Sequence, residues 1–233
     1  YSTSEEKLSE LSDEHPVVGL ILKHRMLRKL LNTYIEPLPK LLNPKSGRIH
    51  THFNQALTST GRLSSNNPNV QNIPIRTEEG RKIRKAFIPG DSGKRILAAD
   101  YSQIELRIMA EVSRDEKMMS AFISGQDIHT ATAANVFEVP IDEVTKEQRR
   151  RAKTVNFSII YGAGATNLSQ QLDISRNEAS DLISQYFAQY SGIQKYMNEV
   201  VDFARKHGYV KTRMGRKRKL RDINSKSSLA RSN

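Results

Sequence analysis

The chain of 233 residues contains no cysteine, which excludes disulfides and every thiolate metal site. Any metal or catalytic chemistry therefore rests on oxygen and nitrogen ligands. No apolar run approaches the roughly 18 residues of a membrane span, and the first residues carry no signal-peptide pattern. There is no internal repeat. Apolar residues make up 37%, enough for a core though not a rich one. Acids are the scarcer charge: 25 Asp and Glu stand against 37 Lys and Arg, leaving +12 at neutral pH. A globular chain this basic most often meets polyanions, either nucleic acid or nucleotide phosphates. The sequence begins on Tyr1 and stops on Asn233 just after a basic stretch, so a piece of a longer protein is expected.

Residues 1–15 are polar and read as a solvated lead-in, after which Pro16 suits a first helical position. Val17, Leu20, Ile21, Leu27, Leu31 and Tyr34 recur at helical spacing and predict a long amphipathic helix ending before Pro37. Residues 47–63 alternate, with Arg48, His50, His52 and Asn54 set against Ile49, Thr51 and Phe53, which predicts a strand. The polar turn segment "TGRLSSNNPNVQNIP" follows. The run Ile96-Leu97-Ala98-Ala99 reads as a buried strand that ends abruptly on Asp100, and 102–112 reads as a helix. From 115 to 207 the pattern is helical, broken at Gly125, Pro140, Gly162–Gly164, around Asp173 and at Gly192. The tail "GYVKTRMGRKRKLRDI" returns to strand-like residues around a Met214-Gly215 turn. Strands, a helical block and strands again predict an α+β fold, with helices inserted into a sheet domain.

Two places invite chemistry. A carboxylate such as Asp100 at the lip of a buried strand is costly to desolvate unless a positive group meets it. Phosphoryl transfer uses metal ions held by carboxylates, and a strand end is a rigid platform for one. The plainer reading is a helix cap, but Ser102 with Glu105 fits a capping box and supplies that cap instead. The second place is "EQRRRAKTVNFSIIYGAG", Glu147 to Gly164. On a helical wheel Arg149, Lys153, Asn156, Phe157, Ile160 and Tyr161 share one side, while Ala152, Val155 and Ile159 form a separate apolar stripe. Cations one turn apart suit a chain of phosphates, and rings further along suit a sugar or base. The competing reading is a surface helix whose aromatics pack on a neighbour.

These stretches resemble a known family. "DYSQIELRIMAEVSRD" is similar to motif A of the family A DNA polymerases, the bacterial polymerase I family. "RRRAKTVNFSIIYG" is similar to motif B, the nucleotide-binding helix of the fingers, and "TGRLSSNNPNVQNIP" and "GQDIHTATAANVF" also match, in the expected order. The likeness runs from about residue 16 to the end. It implies a fragment of the right-hand polymerase fold, with palm strands and an inserted, mainly helical fingers domain. Residues 1–46 would end the thumb, 47–113 would belong to the palm, 114–208 to the fingers, and 209–233 to a basic hairpin returning toward the palm. The implied activity is template-directed DNA synthesis, transferring a nucleotide from dNTP to a primer 3′-hydroxyl by two-metal catalysis, in replication or repair.

The resemblance also implies roles. Asp100 would ligate two Mg²⁺ ions, helped by the carbonyl of Tyr101. Gln103 would lie at the nucleotide, and Glu105 would sit under the sugar and exclude a 2′-hydroxyl. Arg149, Lys153 and His129 would grip the triphosphate. Phe157 would lie by the sugar, its missing hydroxyl implying discrimination against dideoxynucleotides, and Tyr161 would stack near the template position. Arg62, Asn69 and Gln71 would read the minor groove near the primer end, while Arg25 and Lys29 would touch DNA phosphates. The implied partners are primer-template DNA and dNTP, with no membrane, in a monomer of the bacterial cytoplasm at the nucleoid; an organellar or phage origin is also compatible. The family's second catalytic Asp lies in a His-Asp-Glu motif, and no such string occurs here. The chain alone is therefore expected to be inactive.

Other signals carry less. "GDSGKR" lacks the full phosphate-loop pattern and reads as a turn. His50 and His52 share a strand face but lack further ligands for a metal. "GRKRKLR" fits a DNA-facing or merely solvated hairpin better than a localisation signal. The rival class of function is a binding module, because "NLSQQLDISRNEASDLISQYF" fits a DNA-binding helix-turn-helix. Such a module would ignore nucleotide triphosphates.

Overall fold

The computed structural model describes residues 2–75, 77–91 and 93–231, with the backbone alone given for Glu6, Ser228 and Leu229. The chain divides into two units, one running to Ala99 and one beginning at Asp100.

In the first unit the polar lead-in contains a short exposed helix, α1 (Glu5–Glu10). Pro16 then opens α2 (Pro16–Leu30), and the His15 ring caps it by accepting from the Val17 N–H at 3.1 Å. The helix continues as a wider π turn over Leu31–Ile35, and α3 (Pro37–Lys40) follows. The predicted long helix is present, but its apolar stripe is not covered. Only Val18, Leu30 and Tyr34 are buried, whereas Val17, Leu20 and Leu27 are exposed. Periodicity fixes which residues share a face and does not supply the partner that would bury it.

Instead of one strand over 47–63 there are two small antiparallel ladders. β1 (Leu42–Asn43) pairs with β2 (Arg48–Ile49), and β3 (His52–Asn54) pairs with β4 (Ser64–Asn66). α4 (Glu78–Lys85) is capped by Thr77, whose hydroxyl accepts from the Gly80 N–H at 3.1 Å. The run 95–99 is neither a strand nor buried; Leu97 is 91% exposed. A strand needs a ladder partner, and among the described residues none pairs with this run.

The second unit is helical: α5 (Ile104–Ser113), α6 (Glu116–Ile123), α7 (Ile128–Val136), α8 (Lys146–Ile160), α9 (Ala165–Leu172), α10 (Arg176–Gln189) and α11 (Ser191–His207). β5 (Tyr209–Lys211) and β6 (Lys217–Lys219) then form the hairpin predicted around Met214-Gly215, and α12 (Ser228–Arg231) comes last. Helices with three two-stranded ladders make the α+β class expected from the sequence.

Leu106, Met118, Ile128, Val155, Ile159, Leu168, Tyr186, Tyr190 and Ile193 fill one core. Burying each such side chain contributes about 1.5–3 kcal/mol, so this core fixes α7 and α8 side by side. The break predicted at Gly192 falls at Tyr190 instead, and Gly192 lies inside α11. There it donates its N–H to Asp115 Oδ2 at 2.9 Å, while Asp115 Oδ1 accepts from the Met118 N–H at 3.0 Å. A Cβ on Gly192 would sit 2.9 Å from Asp115 Cα, so this approach requires glycine.

Candidate nucleotide-binding face

α8 begins with a full capping box. The Thr145 hydroxyl accepts from the Gln148 N–H at 3.2 Å, and the Gln148 side chain accepts from the Thr145 N–H at 2.9 Å. Ala152, Val155 and Ile159 are buried as predicted, which turns Arg149, Lys153 and Tyr161 outward and leaves Phe157 half-buried. Asn156 departs from the predicted face. It is fully buried between α8 and α7, because those helices meet along a polar seam as well as an apolar one.

Arg149 is not solitary. Its Nε donates to Asp127 Oδ1 at 3.1 Å and its Nη2 to Asp127 Oδ2 at 2.7 Å, a bidentate pair. Asp127 also caps α7 by accepting from the Thr130 N–H at 2.8 Å. Partial burial works to raise the Asp127 pKa, but the bonds from Arg149 and Thr130 outweigh it and bring it down to about 2. His129, two residues on, is 3% exposed, with its ring 5.8 Å from that of Phe157. Burial, aided by the charges of Arg149 and Lys153 against the opposing pull of Asp127, pushes its pKa down to about 4. His129 is therefore neutral at pH 7.

That neutrality has a consequence for stability. Between pH 6.5 and 4 the unfolded chain binds a proton at His129 that the folded chain does not, so stability rises with pH across that window. The Asp127 contribution is present above 3.8 and is lost only as pH falls toward 2, so the two windows separate. Melting temperature is expected to fall when pH drops from 7 toward 4.5, and His129→Gln should flatten that slope. An unchanged slope in the variant would assign the effect to other groups.

At the other end of α8, the Tyr161 hydroxyl donates to Glu105 Oε1 at 2.5 Å. The capping box expected from Ser102 and Glu105 is absent. The N-cap of α5 is Gln103, in the left-handed region at φ 52°, with no side-chain cap bond. The carbonyl of Ser102 instead accepts from Arg107 Nε at 3.0 Å, and the Glu105 carboxylate meets Tyr161. Asp100 and Tyr101 lie exposed on the segment leading into α5. Among the described residues no cluster of three or more His, Asp or Glu side chains suits a metal. Asp100 offers one carboxylate and, among the described residues, belongs to no such cluster. Phe157, Tyr161, Gly164, Asn167 and Gln171 border an open groove of about 490 Å³ beyond the C-terminus of α8.

The remaining predicted residues belong to the first unit. Asn69 and Gln71 are tied into one turn around the buried Ser65: Asn69 Oδ1 accepts from the Ser65 hydroxyl at 3.1 Å and from the Gln71 N–H at 3.0 Å. Arg62 is exposed nearby in sequence. Arg25 and Lys29 are exposed on α2, with Arg25 Nη1 donating to the Thr3 carbonyl. Sequence reasoning missed Asp127 and misplaced Asn156. The D-x-x-T pattern of Asp127 and Thr130 marks a helix start, but nothing local reveals that its acid also holds Arg149.

In the segment that fits a helix-turn-helix, Arg176 and Asn177 stay exposed at the start of α10. Ser175 and Glu178, which open the second helix, are spent on a capping box, the Ser175 hydroxyl accepting from the Glu178 N–H at 3.2 Å. His50 is engaged with the Ser46 hydroxyl at 2.7 Å, and in "GDSGKR" the Lys94 N–H donates to the Asp91 carbonyl at 3.0 Å.

A family model described as DNA polymerase family A matches residues 1–233. DNA polymerase I of Chloroflexus aurantiacus is 53% identical over 96% of the chain, and that of Geobacillus stearothermophilus is 51% identical over 100%. The chain spans about a quarter of the length of these relatives, 24% and 26%. A solved structure described as the POL domain of Pol1 from M. smegmatis, in complex with DNA primer-template and dNTP, superposes with a TM-score of 0.92. It is 46% identical, and the match covers all of this chain and 41% of that one.

Proposed function

Because the chain belongs to DNA polymerase family A, we propose that the whole protein extends a primer 3′-hydroxyl with dNTP on a DNA template, and that α8 presents the triphosphate-binding face. The observation that carries this is the pair Arg149 and Lys153, one turn apart on the exposed side of α8 with His129 beside them. A triphosphate along that face would meet two cations, of which Arg149 is held by Asp127, and a neutral imidazole, with Phe157 serving the sugar and Tyr161 the template base. Arg149 would exchange the Asp127 carboxylate for phosphate oxygens. The divalent ions would supply charge neutralisation and an activated 3′-oxygen, and of their ligands Asp100 and the Tyr101 carbonyl would come from here. In this reading residues 1–46 end the thumb, 47–113 serve the palm, 114–208 form the fingers, and 209–233 return as a basic hairpin.

Lys153→Ala in the whole enzyme tests the assignment. A charge-assisted phosphate contact is worth about 1.5–3 kcal/mol, so the efficiency of dNTP use should drop at least roughly tenfold. Affinity for primer-template should stay near wild type. A variant that lost DNA affinity alone would place Lys153 on the duplex instead.

Primer-template DNA is the second partner, contacted by Arg62, Asn69, Gln71, Arg25 and Lys29. The +12 charge favours phosphate contacts, whose formation releases counterions. The 233-residue chain is expected to bind primer-template weakly, with log affinity falling linearly against log salt concentration. A flat titration would remove the electrostatic basis of that contact set. Among the described residues no helix is long and apolar enough to cross a membrane. With bacterial relatives, the reading places a monomer at the nucleoid in the cytoplasm.

A further inference from the structure

The seam between α7 and α8 holds a buried polar chain that the dNTP reading does not itself require. Asn156 Nδ2 lies 3.2 Å from His129 Nδ1 and 3.1 Å from Thr132 Oγ1. Thr132 Oγ1 lies 3.1 Å from the Tyr190 hydroxyl and 3.3 Å from Asn156 Oδ1. Asn156 and Thr132 are fully buried, and Tyr190 is 1% exposed. An amide nitrogen has two hydrogens to give and accepts nothing. Both of its hydrogens are placed here, one on the threonine oxygen and one on the imidazole.

We propose that Asn156 is a positioning residue for His129: by donating to Nδ1 it holds the ring as the Nε2–H tautomer, leaving that N–H as the donor to a phosphate oxygen of the incoming nucleotide. This rests on the triphosphate reading of His129 given above. A neutral imidazole has one donor and one acceptor nitrogen, and the bond made by one fixes the role of the other. With Nδ1 occupied as acceptor, the ring cannot present a lone pair to a polyanion through Nε2. The opposite tautomer would aim that lone pair at phosphate oxygens and repel them. Neutrality supports the arrangement, because Arg149 and Lys153, with Asp127, are the charged groups that act on the ring, and burial keeps the proton off Nδ1. The Thr132–Tyr190 end holds the amide in the seam, with Thr132 Oγ1 meeting both of its polar atoms.

The experiment is ¹⁵N NMR of the histidine ring in the 233-residue chain at pH 7, paired with single-nucleotide incorporation kinetics in the whole enzyme. Wild type is expected to show His129 as the Nε2–H tautomer. A Nδ1–H tautomer or an imidazolium would overturn the proposal without touching the triphosphate reading. Asn156→Ala should give a mixed or reversed tautomer and weaken dNTP affinity roughly tenfold, with DNA affinity unchanged. Asn156→Asp keeps the shape but offers an acceptor. It should pull the proton to Nδ1 and weaken dNTP affinity likewise, which a purely space-filling role would not do. If both variants shift the tautomer and dNTP affinity stays at wild type, Asn156 is only structural and the proposal fails. If His129→Ala alone also leaves dNTP affinity intact, the triphosphate role of His129 falls with it.

Discussion

The 233-residue chain on its own is expected to give no template-directed synthesis. Two-metal transfer needs carboxylates that bridge both ions between the attacking 3′-oxygen and the α-phosphate. Asp100 is exposed, and among the described residues it belongs to no cluster of three or more metal-ligating side chains. No His-Asp-Glu string occurs in the sequence to supply the second acid that the family resemblance requires. A single carboxylate holds a divalent ion weakly in water, since a hard cation retains its hydration unless several oxygens replace it. Primer extension with the purified chain, and the whole enzyme as positive control, is the assay. Robust synthesis by the chain would mean that its metal site is complete and that the account of Asp100 is wrong.

Glu105→Ala is expected to admit ribonucleotides far more readily than wild type in the whole enzyme. The structure removes the cap explanation for this residue, because Gln103 is the N-cap and makes no capping-box bond. Glu105 instead accepts from the Tyr161 hydroxyl at 2.5 Å, which holds its carboxylate in one place beside the face assigned to the sugar. Filling the space of a 2′-hydroxyl is a steric discrimination, worth about 10–200-fold in a fitted pocket. The ratio of rNTP to dNTP incorporation efficiency should rise by about that factor in Ala. Glu105→Gln keeps the bulk and the bond from Tyr161, so it should retain most selectivity. Tyr161→Phe removes the bond but not the bulk, and an intermediate loss is expected. Melting temperature should move little in Glu105→Ala, because a first-turn acid contributes only about 0.3–1 kcal/mol through the helix dipole. A large drop in melting with wild-type sugar selectivity would make Glu105 a structural residue.

What could be read from the sequence divides along physical lines. α8 was legible because Ala152, Val155 and Ile159 carry a 3.6-residue period in a segment whose partners lie in the same unit. The hairpin at Met214-Gly215 was legible because glycine at φ 85° is what such a turn asks for. The run 95–99 was not, since apolar composition describes a strand only where a ladder exists to receive it. The same reason leaves the stripe on α2 uncovered. Ser102 and Glu105 matched a capping box by spacing, yet the chain enters α5 through a left-handed Gln103, a backbone choice that no side-chain pattern encodes. Asn156 sits at the edge of the wheel between the two faces, where a period cannot decide, and its hydrogen bonds to Thr132 and His129 drew it inward. The candidate acids and cations were legible one by one, through resemblance. The ion pair of Arg149 with Asp127 joins residues 22 apart and needed the packed helices to appear.

The central claim is that the exposed side of α8, with His129, is where the triphosphate sits. Titrating the ¹⁵N-labelled chain with a dNTP and Mg²⁺, with an NMR spectrum recorded at each step, tests it most directly. The expected result is saturable shifts at Arg149, Lys153, His129 and Phe157, abolished or much weakened by Lys153→Ala. Shifts confined to the basic hairpin of Lys211 to Arg221, or none at saturating nucleotide, would contradict it.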